Sequence, residues 1–335
     1  MRRQIVVAPL LLAFVCLMGN AAEGLIVLGS DIGVMSNSTA EPAEGTRAQT
    51  ITVGDLRRTY YLHVPPNLYK DKPAALVLVF HGGGGSGTYT ERVTKFSDLA
   101  DKEGFLVAYP EGIEKHWNDF RGAKEIAAQR ANVDDIAFVS ALLDDVAQNH
   151  RFASNHVFAT GISNGAIFSH YLAANLSARI AAIAPVVGGL GEPASAKFAP
   201  QHPVSVLILQ GTADPLVPYE GGNVAPPRFG DAGGRGRVVS TDETVRKWVV
   251  HNGCRPVAIK EDVPDTDPKD GCSVTKFTWT KGKDGSEVIL YRITGGGHTW
   301  PGGLDDLPKW IVGKHCRDIN ATEVIWTFFK AHPKP

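Results

Sequence analysis

The chain has 335 residues, 43% of them apolar and 21% charged, with a formal net charge of −1. That is enough chain for one large α/β domain or two modest ones, and the composition is ordinary for a soluble globular protein. Without a long basic run, nothing points to a nucleic acid or an anionic membrane as partner.

The first 22 residues have the layout of a secretory signal peptide. Arg2 and Arg3 precede the apolar run 5–18, and Gly19, Ala21 and Ala22 supply small residues for cleavage. The run is short for a membrane span. A retained anchor and a lipid-modified Cys16 are the rival readings; for the second, Val15 stands where a small residue is wanted. Residues 23–50, rich in Ala, Gly, Ser, Thr and Glu, read as a flexible leader. The apolar patch Leu25-Ile26-Val27-Leu28 does not fit that reading. A single catalytic domain is expected over residues 51–332.

Within that domain strands and helices alternate. Residues 58–64 alternate like an outer strand and stop at Pro65-Pro66, whereas 75–80 are continuously apolar, as in a strand covered on both faces. A helix over 95–103 and a strand over 105–109 follow. Residues 134–149 form an amphipathic helix with Ile136, Val139, Leu142, Leu143 and Val146 on one face and Asp134 or Asp135 as cap. A strand over 156–159 leads into a helix over 164–176. Strands over 180–187 and 204–209, a helix over 241–251, a strand over 287–293 and a helix over 322–330 complete the pattern. The polar, cysteine-bearing stretch 253–283 reads as a small excursion. Such alternation predicts a mostly parallel sheet wrapped by helices on both faces.

Three motifs fall at strand ends. Gly161-Ile162-Ser163-Asn164-Gly165 is a G-x-S-x-G at a strand-to-helix turn, the nucleophile elbow of α/β-hydrolases. A serine hydroxyl needs a histidine to take its proton and a carboxylate to orient that histidine. Asp214, just beyond the strand 204–209, is the candidate acid, ahead of Asp231 and Asp242, which lie farther from any strand end. His298, in Gly295-Gly296-Gly297-His298-Thr299-Trp300, is the candidate base, ahead of His315 near the closing helix. The order Ser, Asp, His suits this fold. Finally, His81-Gly82-Gly83-Gly84-Gly85-Ser86 follows the strand 75–80. Its glycines let backbone amides turn inward, so Gly83 and Gly84, with Asn164 after the nucleophile, are the candidate oxyanion donors. His81 reads as a residue that holds this loop. No Gly-Lys-Ser/Thr follows, which argues against a phosphate cradle.

These segments, together with Tyr109-Pro110-Glu111-Gly112, Trp117-Asn118, Gly211-Thr212-Ala213-Asp214, Trp300-Pro301-Gly302-Gly303 and Asp318-Ile319-Asn320-Ala321-Thr322-Glu323, resemble the secreted polyhydroxybutyrate depolymerase/feruloyl esterase family of α/β-hydrolases. The resemblance spans roughly residues 52–331. It implies a serine carboxylesterase with Ser163, Asp214 and His298 as its triad and the Gly-rich loop and Asn164 as its oxyanion hole. The acyl-transfer mechanism expected of such a site needs no metal, and no cofactor is expected. It leaves open feruloylated polysaccharide, acetylated xylan and polyester as substrates.

After signal removal three cysteines remain, and in an oxidising compartment two of them should pair. Cys254 with Cys272 closes a short polar loop, worth ~3 kcal/mol in the chain-entropy model, and leaves Cys316 free. The family's cysteine-bearing insertion agrees with that pairing. The acidic residues Asp262, Asp265, Asp267 and Asp270 break the calcium-loop spacing and read as a solvated loop. Between residues 187 and 204, and between 215 and 240, no long amphipathic helix is present, so no large lid is expected. The absence of a module after Lys330 favours soluble or oligosaccharide esters over crystalline polyester. Trp117 and Trp300 are candidate platforms for an aromatic acyl group or a sugar ring, with a place in the wall or core as the competing reading. The expected activity is hydrolysis of hydroxycinnamoyl or other short-acyl carbohydrate esters. Polyester depolymerisation is the alternative, and a serine peptidase or a non-catalytic binding protein on the same fold are more distant ones.

Overall fold

The computed structural model describes residues 41–68, 72–224 and 234–335. The signal segment, Cys16, the apolar patch at residues 25–28 and Asp231 lie outside the described residues. In chain order the elements are β1 (Thr46–Val53), β2 (Leu56–His63), β3 (Ala74–Phe80), α1 (Gly87–Thr94), α2 (Phe96–Glu103), β4 (Leu106–Pro110), α3 (Ala127–Arg130) and α4 (Asp135–Asn149). Then come β5 (Phe152–Ile162), α5 (Asn164–Asn175), β6 (Ala182–Val186), α6 (Glu192–Ala196), β7 (Ser205–Gly211), β8 (Gly222–Asn223) and β9 (Arg237–Val238). The series ends with α7 (Thr241–Asn252), β10 (Ile259–Asp262), β11 (Ser273–Trp279), β12 (Val288–Thr294), α8 (Lys309–Val312) and α9 (Ala321–Ala331).

Ten strands form one sheet in the order β1-β2-β4-β3-β5-β6-β7-β12-β11-β10. From β4 to β12 the neighbours are parallel. The outer pairs at both edges are antiparallel. Alternate residues of the central strands feed two cores. Leu76, Leu78 and Phe80 of β3 pack with α4, α5 and α7 on one face, while Val77 and Val79 pack with α2 and α9 on the other. Both faces are therefore dry, which is why these strands read as unbroken apolar runs.

Local chemistry sets the helix ends. Asp134 rather than Asp135 caps α4, its carboxylate accepting from Ala137 N–H at 2.8 Å. Asp135 is instead buried against Arg58 of β2 at 2.6 Å, and its other oxygen accepts from Asn118 N–H at 2.7 Å. Ser86 caps α1, and Lys95, at φ 55°, separates α1 from α2.

Three expectations need correction. Strand β1 begins at Thr46, inside the stretch read as leader, and pairs along its length with β2. The excursion 253–283 carries β10 and β11, which extend the sheet. Cys254 and Cys272 are not paired: both are free and buried. Cys254 belongs to the core on one face of the sheet and Cys272 to the core on the other, so the sheet itself stands between the two thiols.

Candidate active site

Parallel strands deliver the site residues from their carboxyl ends, where open α/β sheets hold their ligands. The loop after β3 carries Gly83, β5 runs into Ser163, β7 leads to Asp214, and β12 leads to His298.

Ser163 sits between β5 and α5 at φ 58°, ψ −120°. A side chain held in such a region stores on the order of 1–3 kcal/mol of strain. The flanking glycines are required by close approach. A Cβ on Gly165 would lie 2.3 Å from the Phe80 carbonyl oxygen, and one on Gly161 would lie 2.7 Å from the same oxygen. The elbow is thus pressed against the end of β3, beside the Gly-rich loop.

Asp214 and His298 form a buried couple. His298 Nδ1–H donates to Asp214 Oδ2 at 2.8 Å, and the carboxylate is fully enclosed. Asp214 Oδ1 accepts from the Leu216 and Val217 amides, both at 2.8 Å, and Oδ2 also accepts from Gln210 Nε2 at 3.3 Å. Three other donors therefore fix the carboxylate as an acceptor for the imidazole. The two loops are joined directly: Ala213 N–H donates to the Gly296 carbonyl at 3.0 Å and Gly295 N–H to Thr212 Oγ1 at 3.0 Å. The histidine loop hangs on the end of α8 and the segment after it, with Gly297 N–H donating to the Lys314 carbonyl at 2.8 Å and His298 N–H to the Val312 carbonyl at 2.5 Å.

With Nδ1 committed to Asp214, Nε2 is the lone-pair nitrogen of the neutral ring. Ser163 and His298 line the same cleft, of about 240 Å3, but are not hydrogen-bonded to each other. Such contacts are often long before substrate binds.

The oxyanion candidates divide. Gly83 and Asn164 both line this cleft, and among the described residues neither backbone N–H has a hydrogen-bond partner. A Cβ on Gly83 would lie 3.7 Å from Asn164 Cβ, so the two backbones adjoin. Gly84 is corrected: its N–H donates to the Lys115 carbonyl at 2.9 Å, so it fastens the loop. His81 holds the loop from below. Its Nε2 accepts from Gly112 N–H at 2.9 Å, and burial pushes its pKa down to about 4, so the ring is neutral.

Sequence reasoning missed the support under Asn164. The Asn164 side chain accepts from Trp117 N–H at 2.8 Å and donates to Asp119 Oδ2 at 2.6 Å. Asp119 is fully buried, ion-paired with Arg121 and bonded to Gln129 Nε2 at 2.7 Å. Burial raises the Asp119 pKa, and Arg121 opposes the rise most. The signal available was only a polar run after Trp117, and polarity alone does not show that a loop acid is buried.

The tryptophan platforms are corrected as well. Trp117 is fully buried, its Nε1–H donates to the His81 carbonyl at 2.9 Å, and it stacks on Phe168. Trp300 is 1% exposed, and its Nε1–H donates to Thr322 Oγ1 at 3.0 Å. Both rings are spent on packing. Trp300 contributes only to the wall of a small cavity of about 30 Å3 beside His298, lined also by Val93, Ile162 and Leu304. The rival base His315 lies on that cavity too, buried and 3.9 Å from Asp305. The rival acid Asp242 accepts from the Tyr219 hydroxyl at 2.9 Å.

The sheet, the elbow and the Ser, Asp, His order are those of the α/β-hydrolase fold. An acetyl xylan esterase from Aspergillus awamori superposes with a TM-score of 0.52 at 18% identity, over 76% of this chain and 94% of that one. In sequence, the family model described as "Esterase PHB depolymerase" matches residues 58–204. The esterase-designated protein NocK of Nocardia uniformis subsp. tsuyamanensis is 33% identical over 84% of this chain and 82% of its own length. Feruloyl esterase C of Emericella nidulans is 24% identical over 72% of this chain and 82% of its own. The chain belongs to the polyhydroxybutyrate depolymerase/feruloyl esterase family, and it is a carboxylic ester hydrolase.

Proposed function

We propose that the chain is an exported serine esterase that works through an acyl-enzyme on Ser163, with short-acyl esters of carbohydrates as its substrates. The observation that carries this reading is the buried Asp214–His298 couple opening on the same cleft as a strained serine and two unpartnered amides. Ser163 attacks the ester carbonyl while His298 takes its proton, and Asp214 steadies the imidazolium. The Gly83 and Asn164 amides receive the oxyanion; one such donor is typically worth ~3 kcal/mol in the transition state. His298 then protonates the departing alcohol and activates water for deacylation. The basic and apolar N-terminal segment supports export, and no helix among the described residues is long and apolar enough to cross a membrane.

The two cavities support the choice of substrate. The apolar one beside His298, about 30 Å3, has room for roughly two water-sized groups. The open cleft is lined by Glu114, Arg121, Glu125 and Arg130 among others, a setting for a hydroxyl-rich alcohol. With both candidate tryptophan platforms buried, an acetyl or similarly small acyl group fits better than a hydroxycinnamoyl one. The names of relatives and neighbours span both acyl classes.

A panel of p-nitrophenyl acetate and hexanoate, acetylated xylan, methyl ferulate and amorphous polyhydroxybutyrate tests the reading. The expected order has the acetyl esters first, with turnover falling by about 10^4-fold or more in Ser163→Ala. Rapid depolymerisation of the polyester with no turnover of acetyl esters would replace this reading by the polyester one.

A further inference from the structure

The face of the sheet behind the histidine loop carries two thiols that the esterase chemistry does not use. Cys272 opens the approach to β11, and Cys316 lies in the segment between α8 and α9. Their sulfurs and one carboxylate oxygen of Asp270 all lie within 4.8 Å of one another. Both thiols are buried, at 7% and 1% exposure. The two segments are already held side by side. Arg317 N–H donates to Asp270 Oδ2 at 2.7 Å, and Lys314 Nζ donates to the Gly271 carbonyl at 3.0 Å. Asp318 Oδ1 accepts from the Thr266 and Asp267 amides at 2.9 and 3.2 Å.

We propose that Cys272 and Cys316 are a disulfide pair, and that their bond clamps the segment on which the His298 loop hangs. The sulfurs stand within 4.8 Å of each other as thiols, and the bond would close that gap. The consequence for the site follows from the bonds of that segment. Lys314 and Val312 accept from Gly297 and His298, and the Cys316 carbonyl itself accepts from Gly302 N–H at 3.3 Å. A link from Cys316 to Cys272 therefore ties the histidine loop, through Lys314, to the start of β11 in the sheet.

The chemistry balances by exchange with a small disulfide such as oxidised glutathione. One cysteine thiolate attacks it, giving a mixed disulfide and one released thiol. The second thiolate attacks the mixed disulfide and expels the second thiol. The two cysteines are oxidised, the small disulfide is reduced to two thiols, and these take the two protons. In the closed fold, burial pushes the Cys272 thiol up to about 11 and the Cys316 thiol up to about 12. Thiolate is then scarce, so exchange is slow in both directions once the segment has packed. The bond forms during folding and is shielded afterwards. Cys254 is out of reach on the opposite face, its Sγ set against the Ser286 carbonyl at 3.7 Å.

The test uses the whole chain folded in a glutathione redox buffer, alkylated in denaturant without reductant and mapped by mass spectrometry. The expected result is one linked peptide pair, Cys272 to Cys316, with Cys254 alkylated. The protein folded under excess reductant should lack the link, melt several degrees lower, and show a lower kcat with little change in KM. Cys272→Ser and Cys316→Ser should each reproduce the reduced protein, and the double variant should be no worse than either. Should the variants fail to fold, the peptide map of the wild-type chain decides alone. Alkylation of both residues in the oxidised preparation, a link involving Cys254, or a stoichiometric zinc ion whose removal by chelator exposes both thiols would each overturn the proposal. The map does not depend on esterase activity, so its outcome is separate from that of the substrate panel.

Discussion

Ser163 is strained by backbone geometry that a glycine would accept without cost. Ser163→Gly should therefore be inactive yet more stable than Ser163→Ala by ~1 kcal/mol or more, read from denaturant midpoints. Equal stability would show that the φ 58° backbone carries no strain. For Asp214→Asn, the bonds from Leu216 and Val217 can persist while the imidazole loses its ionic partner and preferred tautomer. A fall in kcat of about 10^4-fold at unchanged stability is expected, by analogy with the serine-protease triad. At this scale the sequence was most legible where chemistry and backbone coincide. The elbow glycines, Asp214 after its strand and His298 in its glycine loop all mark turns as well as roles. The Asp119–Arg121–Gln129 network under Asn164 was not legible, because its meaning lies in burial and pairing across loops. Nor did the glycine run reveal that Gly84 spends its amide on Lys115 while Gly83 does not.

Elements are positioned around the site by a few buried polar contacts. Arg58 on β2 reaches Asp135 at the start of α4, stacks over Phe138, and through Asp135 secures Asn118. Removing one partner of such a pair leaves a buried charge and typically costs ~3–5 kcal/mol. Arg58→Met should lose stability in that range by urea denaturation, and a loss below about 1 kcal/mol would mean that Asp135 finds other partners. The central strands were readable because both faces are dry, so Leu76 to Phe80 form one apolar run. Strands β1 and β10 were missed because they are edge strands. All four residues of β10 are exposed, and β1 buries only Thr46 fully and sets just Ile51 and Val53 partly buried against the core, too short an apolar pattern to mark a strand. Their strand character comes from pairing with β2 and β11, which no local window reveals.

For the whole molecule, strand–helix alternation predicted a parallel sheet, while the strand order and the side of the sheet each residue faces were left open. The cysteines show the consequence: a short loop suggested Cys254 with Cys272, but the sheet separates them. The two cores also bury histidines that respond to acid. Burial lowers the pKa of His170, whose Nδ1 accepts from Trp248 Nε1, to about 3, and that of His81 to about 4. Both rings are neutral when folded and take up a proton more readily when unfolded. Their contribution is fully present above about pH 6.5 and is lost as pH falls toward the folded pKa, at ~1.4 kcal/mol per pH unit for each. Glu111 acts with the opposite sign. Burial raises it to about 7, so its contribution is present below about pH 4.5 and is lost as pH rises through 7. The stability difference between wild type and His170→Gln isolates one histidine. That difference should slope by ~1.4 kcal/mol per pH unit between pH 6.5 and about 4. A flat difference would place a charged imidazole in the core.

The central claim is that one hydroxyl carries the chemistry, and covalent capture tests it most directly. Folded protein inactivated with a fluorophosphonate and mapped by mass spectrometry should carry a single adduct, on the peptide containing Ser163, with loss of activity in proportion to labelling. Complete inactivation with Ser163 unmodified, or undiminished turnover after Ser163 is fully labelled, would contradict the account.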